Sequence, residues 1–225
     1  MALILHIDTA LQQANIGIAK DGELMLQIQN SDQYNHASFV QPAIQQVLQQ
    51  LGISINSIDA IGITAGPGSY TGLRVAMASA KGLCYALQKP LLAVGTLEVM
   101  TVAAVEKFPE YSFYCPMIDA RRDEVYTAAY TARLEIEMAP QPLILDNHSY
   151  KDVLAKGKTL FWGSGSEKYR DILNFNINAF FEQPVYDGKH IAQCLFNSFK
   201  NKDFENLAYS EPAYLKGFYD HKTLK

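Results

Sequence analysis

The chain has 225 residues, 19 Lys and Arg against 23 Asp and Glu, a net charge of −4 and 48% hydrophobic residues. That is chain enough for one large domain or two small ones that bury about 70% of the unfolded surface, and it excludes a disordered polypeptide. The mildly acidic balance lacks the cationic surface needed to hold nucleic acid unaided, although a local basic patch is compatible with it.

The first element is an apolar strand from Leu3 that ends at Asp8-Thr9, followed by the alternating Ala14 to Ala19. Asp21-Gly22 is a hairpin turn into Leu24 to Ile28, so the chain opens with three antiparallel strands. From Ser38 to Leu51 apolar residues recur at helical spacing and Gly52 supplies the stop; Pro42 belongs near the first turn or kinks the helix. Ile58 to Thr64 is the next strand, Gly66 to Gly72 a tight loop and Leu73 to Leu87 a helix. The apolar stripe of that helix is Leu73, Ala76, Met77, Ala80, Leu83, Cys84 and Leu87. Leu91 to Val94 is a strand and Leu97 to Val105 a helix. Alternating strands and helices imply an α/β layer with at least one parallel pair.

Ile118-Asp119 then repeats Ile7-Asp8 at an offset of 111, with an apolar strand before it (Phe113 to Met117) and an alternating one after it (Val125 to Tyr130). The duplicated strand–Asp–turn–strand layout implies two related lobes, 1–108 and 109–225, joined near Lys107-Phe108-Pro109-Glu110. The second half reads less completely: Tyr150 to Lys158, Phe161 to Gly165, a helix over Gly188 to Lys200, and the tail Glu211 to Lys216.

The chemistry-bearing residues are few. Between a strand and a helix, Gly66, Gly68, Ser69, Thr71 and Gly72 could present backbone N–H groups to an anion, or could simply make a sharp turn. Their spacing matches neither a dinucleotide fingerprint nor a P-loop. Asp8, with Thr9, and Asp119 end strands at positions suited either to addressing phosphate and magnesium or to capping the turn. The five histidines are at least 30 residues apart, so no H-x-x-x-H pair forms, no metal site is expected and a metallopeptidase is disfavoured. Cys84, Cys115 and Cys194 form no C-x-x-C pair and read as small buried residues. The N-terminal residues lack the pattern of a secretory signal and no window spans a bilayer, so a cytoplasmic location with no membrane association is expected.

Taken together, Ile4-Leu5-His6-Ile7-Asp8-Thr9, the run Gly66-Pro67-Gly68-Ser69-Tyr70-Thr71-Gly72-Leu73-Arg74 with Ala80-Lys81-Gly82-Leu83, Ile118-Asp119-Ala120-Arg121 with Glu124-Val125-Tyr126, and Glu211-Pro212-Ala213-Tyr214-Leu215 resemble the TsaB (YeaZ) family from residue 3 to about 216. The resemblance implies an actin-like ASKHA (ribonuclease H-like) fold of two duplicated lobes, each a mixed sheet flanked by helices. It implies a non-catalytic subunit of the tRNA N6-threonylcarbamoyladenosine synthase that binds the transferase TsaD, with the ATPase TsaE joining and tRNA engaged only through the complex. TsaD relatives carry an H-x-x-x-H helix that this chain lacks. The partner seam implied lies on the helices 37–51 and 71–88, at Val40, Ile44, Val47, Leu73, Val75, Ala76, Met77 and Ala80. No catalytic residue is implied, no cofactor is required by the chain, and ATP or ADP at the interface of the complex is the one nucleotide the resemblance allows. An empty seam favours a homodimer of the free chain. The competing reading is an ATPase or phosphotransferase using Asp8, Asp119 and the glycine loop. His6 and Asn35-His36-Ala37-Ser38 depart from the family pattern, and His36 reads as an exposed histidine at a helix entry.

Overall fold

The computed structural model describes residues 1–32 and 36–216; Asn35, His221 and the rest of 217–225 lie outside the described residues. Leu3–Asp8 (β1), Ala14–Lys20 (β2) and Glu23–Asn30 (β3) form the antiparallel start, with Asp21 and Gly22 at positive φ in the hairpin turn. Ala60–Gly66 (β4) and Leu91–Gly95 (β5) extend the sheet in parallel on the other side of β1, giving the order β3-β2-β1-β4-β5. Phe113–Asp119 (β6), Glu124–Thr131 (β7), Ile136–Ile144 (β8), Thr159–Trp162 (β9) and Ala179–Phe181 (β10) repeat that topology as β10-β9-β6-β7-β8. The duplication inferred from two aspartates thus extends to ten strands, in the two-lobed actin-like arrangement.

Strand alternation explains how helices cover these sheets. Leu5 and Ile7 of β1, with Ile16, Ile18, Ile61 and Ile63, face the helices His36–Leu51 (α1) and Tyr70–Leu87 (α2). Ile4, Ala60, Leu92 and Val94 face the other way, towards Thr96–Lys107 (α3) and Gly188–Asn201 (α6). One side of α3 instead packs Leu97, Met100, Ala103 and Ala104 on Tyr114, Ile118, Leu160 and Trp162 of the second sheet. Lys151–Lys156 (α4) and Ser166–Ile172 (α5) follow β8 and β9, and Tyr150, Val153, Leu154 and Tyr169 cover the second sheet's outer face.

The division at residue 109 therefore separates the sheets but not the helices. α6, though C-terminal, packs on the first sheet through Ile191, Cys194 and Leu195. Gly62 of β4 gives Leu195 its seat, since a Cβ there would collide with that side chain. Pro42 sits inside α1, past its first turn, on the exposed side.

Candidate functional site

A cleft of about 800 Å³ opens between the lobes, walled by the β1–β2 turn and the start of α2 on one side and by the β6–β7 turn with Trp162 to Ser164 on the other. Gly68, Ser69, Thr71 and Asp119 line it; Asp8, Thr9, Gly66 and Gly72 do not.

The two aspartates share one local geometry. The Oδ1 of Asp8 accepts from the Ala10 N–H at 2.9 Å, and that of Asp119 accepts from the Arg121 N–H at 2.6 Å, so each caps its turn two residues on. Their surroundings differ. Asp8 is completely buried and also accepts from Thr64 Oγ1 and, at 2.9 Å, from the Tyr186 hydroxyl. Burial raises its pKa above the usual carboxylate range, against the pull of those donors. Asp119 lies at the surface. Its partial burial is outweighed by Lys168 Nζ at 2.7 Å and by the Arg121 amide, which hold its carboxyl below the usual range.

The glycine loop grips the neighbouring turn. The Ser69 N–H donates to Ala10 O at 2.7 Å and Thr9 Oγ1 donates to Gly72 O at 2.6 Å. A Cβ on Gly68 would strike Ala10 O, and one on Gly72 would strike Thr9 O. These glycines are required by the close approach of α2 to the β1–β2 turn. Ser69 caps the helix, accepting from the Gly72 N–H at 3.3 Å. His36 belongs to the same assembly: it is buried rather than exposed, and its Nε2 lies 3.2 Å from Gln12 O. The starts of α1 and α2 thus both hold the turn that forms one wall of the cleft.

The residues expected to form a seam are placed elsewhere. Val40, Ile44, Val47, Leu73, Ala76, Met77 and Ala80 are buried within the first lobe, and Val75 is half-buried against its core. The periodicity identified the face that meets the chain's own sheet. The outward face of α2 consists of Thr71, Arg74, Ala78, Gly82, Tyr85 and Ala86, with Tyr85 81% exposed; that of α1 presents Gln41, Pro42, Gln45, Gln46, Gln49 and Gln50. A shallow groove runs between the two helices past Pro42, Gln45, Leu48 and Leu83. α1 has no Asp, Glu, Lys or Arg, and α2 has only Arg74 and Lys81.

Those two cations serve the C-terminal tail, a role that composition could not reveal. Lys81 Nζ donates to Ala208 O and Ser210 O at 3.3 and 3.1 Å, and Arg74 Nε donates to the Tyr214 hydroxyl at 2.9 Å. The signal lay in the co-occurrence of Arg74, Lys81 and Glu211-Pro212-Ala213-Tyr214 in one sequence pattern. Among the described residues no group of three or more His, Cys, Asp or Glu is placed to hold a metal, and no helix is long and apolar enough to cross a membrane. All three cysteines are buried, which pushes their thiols up, Cys84 to about 11 and Cys194 to about 12.

Residues 28–216 match the family model described as TsaD, tRNA N6-adenosine threonylcarbamoyltransferase. The tRNA threonylcarbamoyladenosine biosynthesis protein TsaB of Haemophilus influenzae is 32% identical over 123 residues, 55% of this chain and 51% of that protein. Its Escherichia coli namesake is 33% identical over 56% of this chain and 54% of its own length, so the chain spans about half the length of the curated relatives it matches. A Pseudomonas aeruginosa structure described as an uncharacterized protein with similarity to peptidase YEAZ superposes with a TM-score of 0.83 at 23% identity, over 96% of this chain and 100% of that one, which bears on the fold alone. A family match across most of the chain, TsaB relatives at about a third identity and a shared two-lobed fold agree: the chain belongs to the tRNA N6-adenosine threonylcarbamoyltransferase family and, within it, to the TsaB (YeaZ) group.

Proposed function

We propose that this chain is a non-catalytic activating subunit in tRNA N6-threonylcarbamoyladenosine synthesis, one that binds a TsaD-type transferase and supports threonylcarbamoyl transfer to adenosine 37. The observation that carries the reading is the outward face of α1 and α2. In a chain with 19% charged residues, α1 has none and the two cations of α2 are engaged by the tail. Depletion of charge with an exposed tyrosine is the composition of an interface centre. The first-lobe turn beside the cleft supports the non-catalytic part: Asp8 is engaged by Thr64, Ala10 and Tyr186, and the Ser69 amide by Ala10, so groups that could address a phosphate serve packing.

The transferase docks along the groove between α1 and α2, a TsaE-type ATPase joins the pair, and tRNA is held through the complex in the cytoplasm. Without its partner, the same face pairs with a second copy. The chain itself requires no cofactor; ATP or ADP belongs at the interface of the complex. Tyr85→Asp combined with Gln45→Lys changes only exposed side chains, so the chain stays folded while co-purification with the transferase is lost. Persistence of the complex with both changes would sink the seam.

The second reading, an ATPase or phosphotransferase, draws on Ser69, Thr71 and Asp119 in the cleft wall. Titration calorimetry of the isolated chain with Mg-ATP separates the two: micromolar binding with turnover favours the enzyme, and no heat favours the subunit.

A further inference from the structure

After α6 the chain does not stop at the first lobe. The Glu205 N–H donates to Leu91 O at 2.9 Å at the edge of β5, and the Ala213 N–H donates to Ala65 O at 2.7 Å beside the glycine loop. Gly66, at a φ of 124°, leaves room for this approach: a Cβ there would press on Ala213 O. Tyr214 then packs its ring 5.4 Å from that of Tyr70, and the Arg74 guanidinium lies 4.2 Å over the Tyr70 ring while its Nε holds the Tyr214 hydroxyl. Two residues later Lys216 is on the other lobe. Its ammonium pairs with Glu124 and stands 6.0 Å from the centre of the Tyr126 ring.

Tyr70 belongs to the first-lobe wall of the cleft and Tyr126 to the second-lobe wall. Two residues of chain reach at most about 7 Å even when fully extended. With both ends attached, that backbone span together with the reach of the anchoring side chains limits how far the edge of the cleft can widen unless one attachment lets go.

We propose that residues 213–216 are a strap fastened across the cleft, anchored by Arg74 and Tyr70 on one wall and by Glu124 and Tyr126 on the other, and that its release governs how far the cleft opens. The anchors differ in kind. The first-lobe end is aromatic packing, a backbone hydrogen bond and a hydroxyl contact, whereas the second-lobe end rests on the one Lys216 ammonium, paired with Glu124 and 6.0 Å from the centre of the Tyr126 ring. The Lys216 end is therefore the one that releases.

Trp162, the only tryptophan, lines the cleft and is 4% exposed, so quenching of its fluorescence by acrylamide reads the opening directly. In the full chain, Lys216→Glu sets two carboxylates against each other and is expected to raise the quenching constant at least about twofold. The double reversal Glu124→Lys with Lys216→Glu is expected to restore the wild-type value, because the pair and not either residue sets the position. Arg74→Gln, which removes the hydroxyl anchor at an exposed site, should raise quenching with Lys216 intact. The strap is overturned if Lys216→Glu and Arg74→Gln both quench like wild type, or if the double reversal stays as open as Lys216→Glu.

Discussion

The β1–β2 and β6–β7 turns are two copies of one device that the fold has used differently. Each begins with an aspartate whose carboxylate accepts from the amide two residues on. In the first, the carboxylate is fully buried and accepts from Thr64 and Tyr186, and the turn is clamped by the starts of α1 and α2. In the second, the carboxylate stays at the surface and Lys168 performs the clamping, donating to Asp119 and to the carbonyls of Arg122 and Glu124. One turn is held by buried contacts from two helices, the other mainly by Lys168, with Ser164 Oγ accepting from the Asp119 N–H, at the surface. A duplicated motif thus fixes geometry without fixing environment.

The largest expected effect tests this contrast directly. Asp8→Ala strands two buried hydroxyls and an amide and should cost on the order of 4 kcal/mol. Asp119→Ala should cost under about 1 kcal/mol, because its ion pair is solvent-screened. Urea denaturation of the two variants measures both; equal losses would break the comparison.

The next effect comes from the strand that carries Asp8. His6 corresponds to Met117 in the second repeat and is buried beside Asn15, with Nε2 2.9 Å from Asn15 Oδ1. Desolvation lowers its pKa to about 4, against the raising influence of Asn15 and Asp187. The unfolded chain therefore takes up this proton first as the pH falls, so stability is full above the unfolded value and declines between pH 6.5 and about 4, by about 3 kcal/mol. Asp8, with its raised pKa, works in the opposite direction. The difference between wild type and His6→Gln isolates the histidine, and identical pH profiles for the two would refute its assignment.

The smallest pair concerns the clamps. Gly72→Ala pushes a methyl against the Thr9 carbonyl and should cost about 2 kcal/mol. Lys168→Ala should cost under about 1 kcal/mol and let the Asp119 pKa rise, which NMR titration of the carboxyl carbon would follow.

What the sequence revealed depended on whether the information was local. The strand–Asp repeat, the hairpin at Asp21-Gly22 and the stripe of α2 are local, and each appears in the structure. The stripe could not say which surface it meets, so Met77 and Ala80, expected at a partner seam, turn out to meet the first sheet. The structure leaves Tyr85 and Gly82, on the opposite side, facing outward. β8 was hidden by Pro140 and Pro142, which an edge strand tolerates and a central strand does not. The roles of Arg74 and Lys81 depend on partners more than 120 residues away, and no periodicity encodes such a distance. Of the residues read as a possible anion loop, Gly68, Ser69, Thr71 and Asp119 line the cleft, whereas Asp8 is buried because Thr64 and Tyr186 reach it from distant parts of the chain.

The return of α6 to the first sheet also sets the order in which this protein can be completed during its synthesis. Ile4, Ala60, Leu92 and Val94 leave the ribosome early and α3 soon covers part of them through Val99, yet α6, which covers the rest, is encoded after the whole second sheet. Until residues 188–201 emerge, the part of that face seated under α6 is an open apolar surface, so the first half of the chain waits on the second to finish its core.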